Sequence, residues 1–95
     1  MTVYVDEITD YGDIARAAGL RTTRWAHLTA DTREELHVFA DRIGLRRSWF
    51  QHAGDYRWHY DVTPGKRIAA LRSGAQPIDR NGLAALMAAR RAART

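Results

Sequence analysis

The chain is 95 residues long and contains no cysteine, so it is sized for one domain and excludes disulfides, thiolate metal sites and a cysteine nucleophile. At 45% apolar and 27% charged residues it is a folding composition, and with no apolar run near the ~18 residues of a membrane span and an acidic opening MTVYVDEITD it is expected to be cytoplasmic, with no membrane partner. Charge is uneven: residues 1–45 carry five Lys/Arg against eight Asp/Glu, net −3, whereas residues 46–95 carry ten against three, net +7.

In chain order, Thr2-Val3-Tyr4-Val5-Asp6 is β-branched and aromatic and is halted by Asp6-Glu7, which predicts a strand with two carboxylates at its C-terminal end. Residues 7–23 read as a connection in which Asp13 is placed to cap a short helix running through Ile14, Ala17 and Ala18 to Gly19. Residues 24–28 predict a second strand with Trp25 and His27 on one face and Ala26 and Leu28 on the other. Thr32-x-x-Glu35 is a capping box. The stripe Leu36, Phe39, Ala40, Ile43 and the stop at Gly44 predict a helix over 33–43, with His37 on its flank and Val38 opposite.

Residues 48–52 and 57–62 flank Ala53-Gly54-Asp55 and read as a β-hairpin. Alternation turns Trp58, Tyr60 and Val62 into the core and leaves Arg57, His59 and Asp61 on the other face, while Trp25, Trp49 and Trp58 are read as core aromatics. Thr63-Pro64 is an N-cap followed by proline at the first helical position, predicting a helix over 64–73 that carries Ile68 and Leu71 and stops at Gly74. After Pro77 and Asp79 a last helix over 80–91 carries Leu83, Leu86 and Met87, and the basic tail through Arg94 is expected to fray. The sum is an α/β domain, α+β being the variant: a three- to four-stranded mixed sheet with a β-hairpin, packed by about three helices. Residues 1–78 form its compact body, and 79–95 add a C-terminal helix to the same domain.

The run Val3-Tyr4-Val5-Asp6, then Trp25-x-His27-Leu28-x-x-Asp31-x-x-Glu34-Glu35-Leu36-His37-x-Phe39-Ala40, then Gly44-Leu45-x-Arg47-x-Trp49-Phe50-Gln51, and finally His59-Tyr60-Asp61-Val62-Thr63 with Arg67 and Gly74-Ala75 closely resembles a bacterial and phage family known as domain of unknown function 4031. The resemblance spans residues 1 to about 78 and implies a small domain without an assigned activity. Where such chains commonly have a second acid after Val-Tyr-Val-Asp, this one has Glu7, a tolerable change for a metal or proton role.

Three constellations carry chemistry. Arg57, His59 and Asp61 share a face with Lys66 and Arg67 beyond. Two cations in the first turn of a helix oppose its positive end, by about 0.3–1 kcal/mol each, so either an anion bound at that end or a nearby carboxylate such as Asp61 is expected to offset them. An Asp beside His59 would orient the imidazole for proton transfer, so His59 and Asp61 are the candidate catalytic pair. The ligand-binding set is Arg57, Lys66, Arg67 and Arg47; fourteen of the 15 basic residues are Arg, a bias that suits bidentate contact to phosphate and that GC-rich coding also produces. Asp6, Glu7, His27 and Asp31 are the candidate ligands of a divalent metal ion, while the same carboxylates also serve as ordinary caps and turn formers.

These residues point to a cleft that binds a phosphate-bearing ligand, a nucleotide or a nucleic-acid end, with metal-dependent phosphoester chemistry as the enzymatic extension. The alternative is a phage-related accessory module without enzymatic activity, binding nucleic acid through its basic half or protein through its acidic half. A homodimer using Val38 or the last helix is a third expectation. Whether the chain is an enzyme stays open at this level.

Overall fold

A computed structural model describes residues 2–17, 19 and 23–93; the expected helical Ala18 and the tail residue Arg94 lie outside them. The elements are β1 (Val3–Val5), β2 (Thr9–Asp10), α1 (Gly12–Ala17), β3 (Arg24–Ala30), α2 (Arg33–Arg42), a 3-10 turn (Arg47–Trp49), β4 (Phe50–Gln51), β5 (His59–Val62), α3 (Pro64–Arg72), β6 (Gln76–Pro77) and α4 (Arg80–Ala93). No described helix is long and apolar enough to cross a membrane.

The sheet is mixed. Its order is β4-β5-β3-β1-β6, with β2 paired to the start of β3. β1, β4 and β5 join antiparallel neighbours, and β6 joins β1 in parallel. The domain is therefore the α+β variant of the expected class, with four helices among the described residues and a mixed sheet, and the additional strands are two-residue pieces too short to show periodicity. Thr9 pairs with Trp25 and Asp10 with Arg24, inside the segment read as a connection; only the partner strand makes them β. Pro77, which lacks an N–H, sits on the edge strand, where no ladder bond is lost.

One face of the sheet is the core. Val5, Ala26, Leu28, Ala30, Tyr60 and Val62 meet Leu36, Phe39, Ala40 and Ala70 from the helices. β3 and β5 alternate as their sequences dictate, even-numbered residues inward. α2 starts as its capping box predicts: Thr32 Oγ1 accepts from the Glu35 backbone N–H at 3.2 Å and donates to the Glu35 carboxylate at 3.3 Å. It ends at Gly44, whose φ of 81° only glycine adopts without strain, and Leu45 N–H closes onto the Ala40 carbonyl at 2.9 Å.

The first hairpin arm is not a strand over 48–52; residues 47–49 form a 3-10 turn and only Phe50 and Gln51 pair. The cause is His52, whose φ of 56° ends the pairing, with the following loop tied by Asp55 to His52 and Arg57. Trp49, carried by that turn, is 44% exposed rather than core, whereas Trp58 is buried and Trp25 half-buried. At the other end, α4 is helical through Ala93, and Arg90 is engaged with the sheet rather than solvated. Its guanidinium donates to Thr29 Oγ1 and to the carbonyls of Ala30 and Trp58, and it lies 3.4 Å from the centre of the Trp58 ring.

Candidate metal centre

The second face of the sheet carries the polar constellation. β3 and β5 pair with Leu28 opposite Tyr60 and His27 opposite Asp61. Because side chains alternate, the register that buries the first pair brings the second together on the other side. His59 precedes Asp61 by two residues and so shares its face, and Gln51 of β4 stands opposite His59.

The distances are short. His59 Nε2 lies 3.2 Å from Asp61 Oδ1, and His27 Nε2 lies 4.0 Å from the same oxygen. The two imidazoles are 5.0 Å apart and steeply inclined, at 77°. One ligand atom from each of His27, His59 and Asp61 falls within 4.8 Å of the other two. Metal bonds of about 2.0–2.2 Å place neighbouring ligands about 3.0–3.5 Å apart, so the three atoms need only a small contraction to share one ion.

Their partners decide the tautomers. His59 Nδ1 is 2.6 Å from the Arg57 carbonyl, which can only accept, so Nδ1 bears the hydrogen and the neutral ring presents a lone pair at Nε2. The same holds for His27, whose Nδ1 is 2.8 Å from Asp6 Oδ2. Asp6 grips the residue twice, because its Oδ1 also accepts the His27 backbone N–H at 2.6 Å. Asp61 Oδ2 accepts from the Gln51 side-chain amide at 2.5 Å, while Oδ1 is buried and accepts no hydrogen bond. With both rings neutral, two nitrogen lone pairs and one carboxylate oxygen thus converge on one point. Such an arrangement calls for a cation, a proton or a metal ion.

The electrostatics favour positive charge at this point. The hydrogen bond from Asp6, reinforced by the charges of Asp6 and Asp61, holds the His27 imidazole above its ordinary pKa despite its burial. Burial alone would raise Asp61, yet the hydrogen bonding and positive charge of a protonated His59, the charge of His27 and the Gln51 amide outweigh it and hold the carboxyl below its usual range. Around the centre, Tyr11 stacks on Trp25 at 4.2 Å and meets His27 edge-on, and His52 stacks over His59 at 5.5 Å. Asp61 and Gln51 also line a cleft of 640 Å³, whose other walls include Trp25, Leu45, Trp49, Val62 and Lys66.

The residues expected to act are distributed as follows. His59 and Asp61, read as a catalytic pair, and His27, read as a metal ligand, come together. Asp6 stands behind His27 as its orienting partner; Glu7 is exposed. Asp31 sits at the far end of β3, where it accepts from the Thr2 backbone N–H and the Tyr4 hydroxyl, each at 2.9 Å. Of the cations, Lys66 lines the cleft. Arg67 Nε donates to the Asp6 carbonyl at 2.8 Å, Arg57 pairs with Asp55 at 3.1 Å, and Arg47 is exposed on the 3-10 turn. The offset demanded by two cations at the start of α3 comes from carbonyl oxygens: Lys66 Nζ donates to that of Ile43, at the negative end of α2, at 2.7 Å, and Arg67 to that of Asp6. Gln51 went unread because the hairpin register was unknown. Pairing Gln51 with His59 is the signal that would have found it.

The model of the family described as protein of unknown function (DUF4031) matches residues 3–90. The chain belongs to that family. The match reaches past the residue-78 limit of the motif resemblance and takes in most of α4, Arg90 included. No curated protein and no solved structure matches the chain.

Proposed function

We propose that this chain is a divalent-metal protein whose ligands are His27, His59 and Asp61, with coordination positions left open toward the cleft beside Asp61. The observation that carries the reading is the convergence of three bare lone pairs on one point. Each ligand is oriented from behind by a partner of its own: Asp6 for His27, the Arg57 carbonyl for His59, and Gln51 for Asp61. Outer partners of this kind fix ring orientation and tautomer in metal sites. Two imidazoles and one carboxylate suit a first-row transition ion, and three protein ligands leave room for water or substrate.

The chemistry such an ion supplies is activation of a coordinated water for hydrolysis. A phosphate-bearing ligand in the cleft fits that role, because the metal and the Lys66 ammonium would both face its negative charge. The competing occupant of the centre is a proton shared between His59 and Asp61.

Zinc titration of the metal-free chain against a chromophoric chelator decides between them. One Zn²⁺ per chain is expected. His59→Ala and Asp61→Ala should each weaken binding by more than the roughly 10–100-fold that an outer partner is worth, with the far-ultraviolet circular dichroism unchanged. Absence of zinc, manganese and ferrous ion binding, or binding that both variants leave intact, overturns the proposal.

A further inference from the structure

The cleft beside the centre has a composition of its own. Its volume of 640 Å³ lies within the range of small-molecule sites, about 300–1,000 Å³. Two indoles, Trp25 and Trp49, together with Leu45 and Val62 make most of the wall, and Asp61 and Gln51 form the end that adjoins the centre. Trp49 borders this hollow and is 44% exposed, with the Arg46 guanidinium 5.8 Å from the centre of its ring.

Lys66 is the cation on that wall. Its ammonium has three donors, one of which goes to the Ile43 carbonyl. Among the described residues no carboxylate pairs with it within 4.0 Å. A half-buried ammonium without a counter-charge, on the wall of an apolar cleft, is complementary to an anion that carries an apolar body. Of the other polar groups on the lining, Gln51 is bonded to Asp61 and Thr63 Oγ1 accepts the Lys66 backbone N–H that starts α3, which leaves the Ser48 hydroxyl to read the edge of such a body.

We infer that the cleft selects phosphate monoesters of a flat, largely apolar ring, holding the ring against Trp25 and Trp49 and the phosphate between Lys66 and the proposed centre. This rests on the metal reading for where the phosphate oxygens bind. The ring supplies the preference and the anion supplies the orientation. An aryl group and a nucleobase are the two sources of such a ring, and their shared chemistry is a planar π-face on an ester of phosphate.

The test uses the full chain with zinc, titrated by calorimetry and tryptophan fluorescence with phenyl phosphate, adenosine monophosphate, inorganic phosphate and benzyl alcohol. At least one of the two ring esters should bind about tenfold or more tighter than inorganic phosphate, and than benzyl alcohol; which of them leads identifies the ring. Trp49→Ala, at an exposed position, should erase most of that preference and leave inorganic phosphate affinity unchanged, while Lys66→Met should weaken every phosphate. Equal affinity for ring esters and inorganic phosphate, or an unaltered preference in Trp49→Ala, overturns the inference. The titrations repeated in EDTA separate the two proposals. If zinc never binds, the metal reading fails alone, and a surviving ring preference keeps the cleft assignment.

Discussion

Asp6 shows how one side chain sets another's chemistry. Its two oxygens hold the backbone N–H and the Nδ1 of His27, and this keeps Nε2 bare toward Asp61. Asp6→Asn would keep an oxygen for the backbone N–H but turn an amide N–H₂ toward Nδ1. The imidazole would then take the other tautomer, with its hydrogen on Nε2, where a ligand atom has to be bare. Zinc affinity should drop about 10–100-fold in this variant, far less than on removing His59, and competition titration of the two proteins side by side gives the ratio. An unchanged affinity would mean that the Asp6 contact is only structural. Asp6 was expected to be a ligand itself, and no pattern in the chain distinguishes the two roles. A carboxylate one step past a strand can reach either the ion or the residue that holds it, and the pairing of β1 with β3 decides.

Among elements, the docking of α2 on the sheet depends on a polar contact at its flank. His37 Nδ1 is 2.9 Å from the Tyr60 hydroxyl, and the imidazole packs edge-on against Phe50 at 4.5 Å. Burial, with the positive charge of Arg47, holds the His37 pKa below its ordinary value. The unfolded chain therefore takes up this proton at a higher pH than the folded one. Its contribution to stability is complete above about pH 6.5 and is lost as pH falls through the folded value. His27 has the opposite sign, its raised pKa favouring the folded state at low pH. Denaturant midpoints measured in EDTA between about pH 5 and 7 should rise with pH less steeply in His37→Gln than in the parent chain. Parallel profiles would show that His37 titrates alike in both states. The helix itself was legible because its capping box, stripe and Gly44 stop are local features. What its flank touches was not, since Tyr60 is 23 residues away.

For the molecule as a whole, α4 stands out as the longest described helix, held by half-buried rather than buried side chains. None of its residues is fully buried, and its attachment is concentrated in Arg90. Burial pushes the Arg90 guanidinium down to about 10, and its partners are carbonyls, a hydroxyl and the Trp58 ring rather than a carboxylate. Arg90→Ala should cost about 1–3 kcal/mol through the acceptors left unpaired and the stacking lost. Hydrogen exchange should then show α4 opening before the sheet. Arg90→Lys should not restore it, because an ammonium cannot cover the ring and fork to Thr29 and Ala30 together. Loss of protection spread evenly over the chain would argue against this separate hold.

Strand alternation, caps, stops and the α/β class were written locally, in features spanning a few residues that act through short-range sterics and hydrogen bonding. So was the shared face of His59 and Asp61, since a period of two needs no partner. The meeting of that pair with His27, the retreat of Asp6 behind it, the departure of Asp31 to the far end of β3 and the insertion of Arg90 depend on strand order and register. Those are set by which apolar faces bury together across gaps of 21 to 61 residues. Backbone pairing is blind to residue type, and a slip of one position between β3 and β5 would have turned one of the two histidines into the core. Burial of Leu28 against Tyr60 is the contact that chose otherwise.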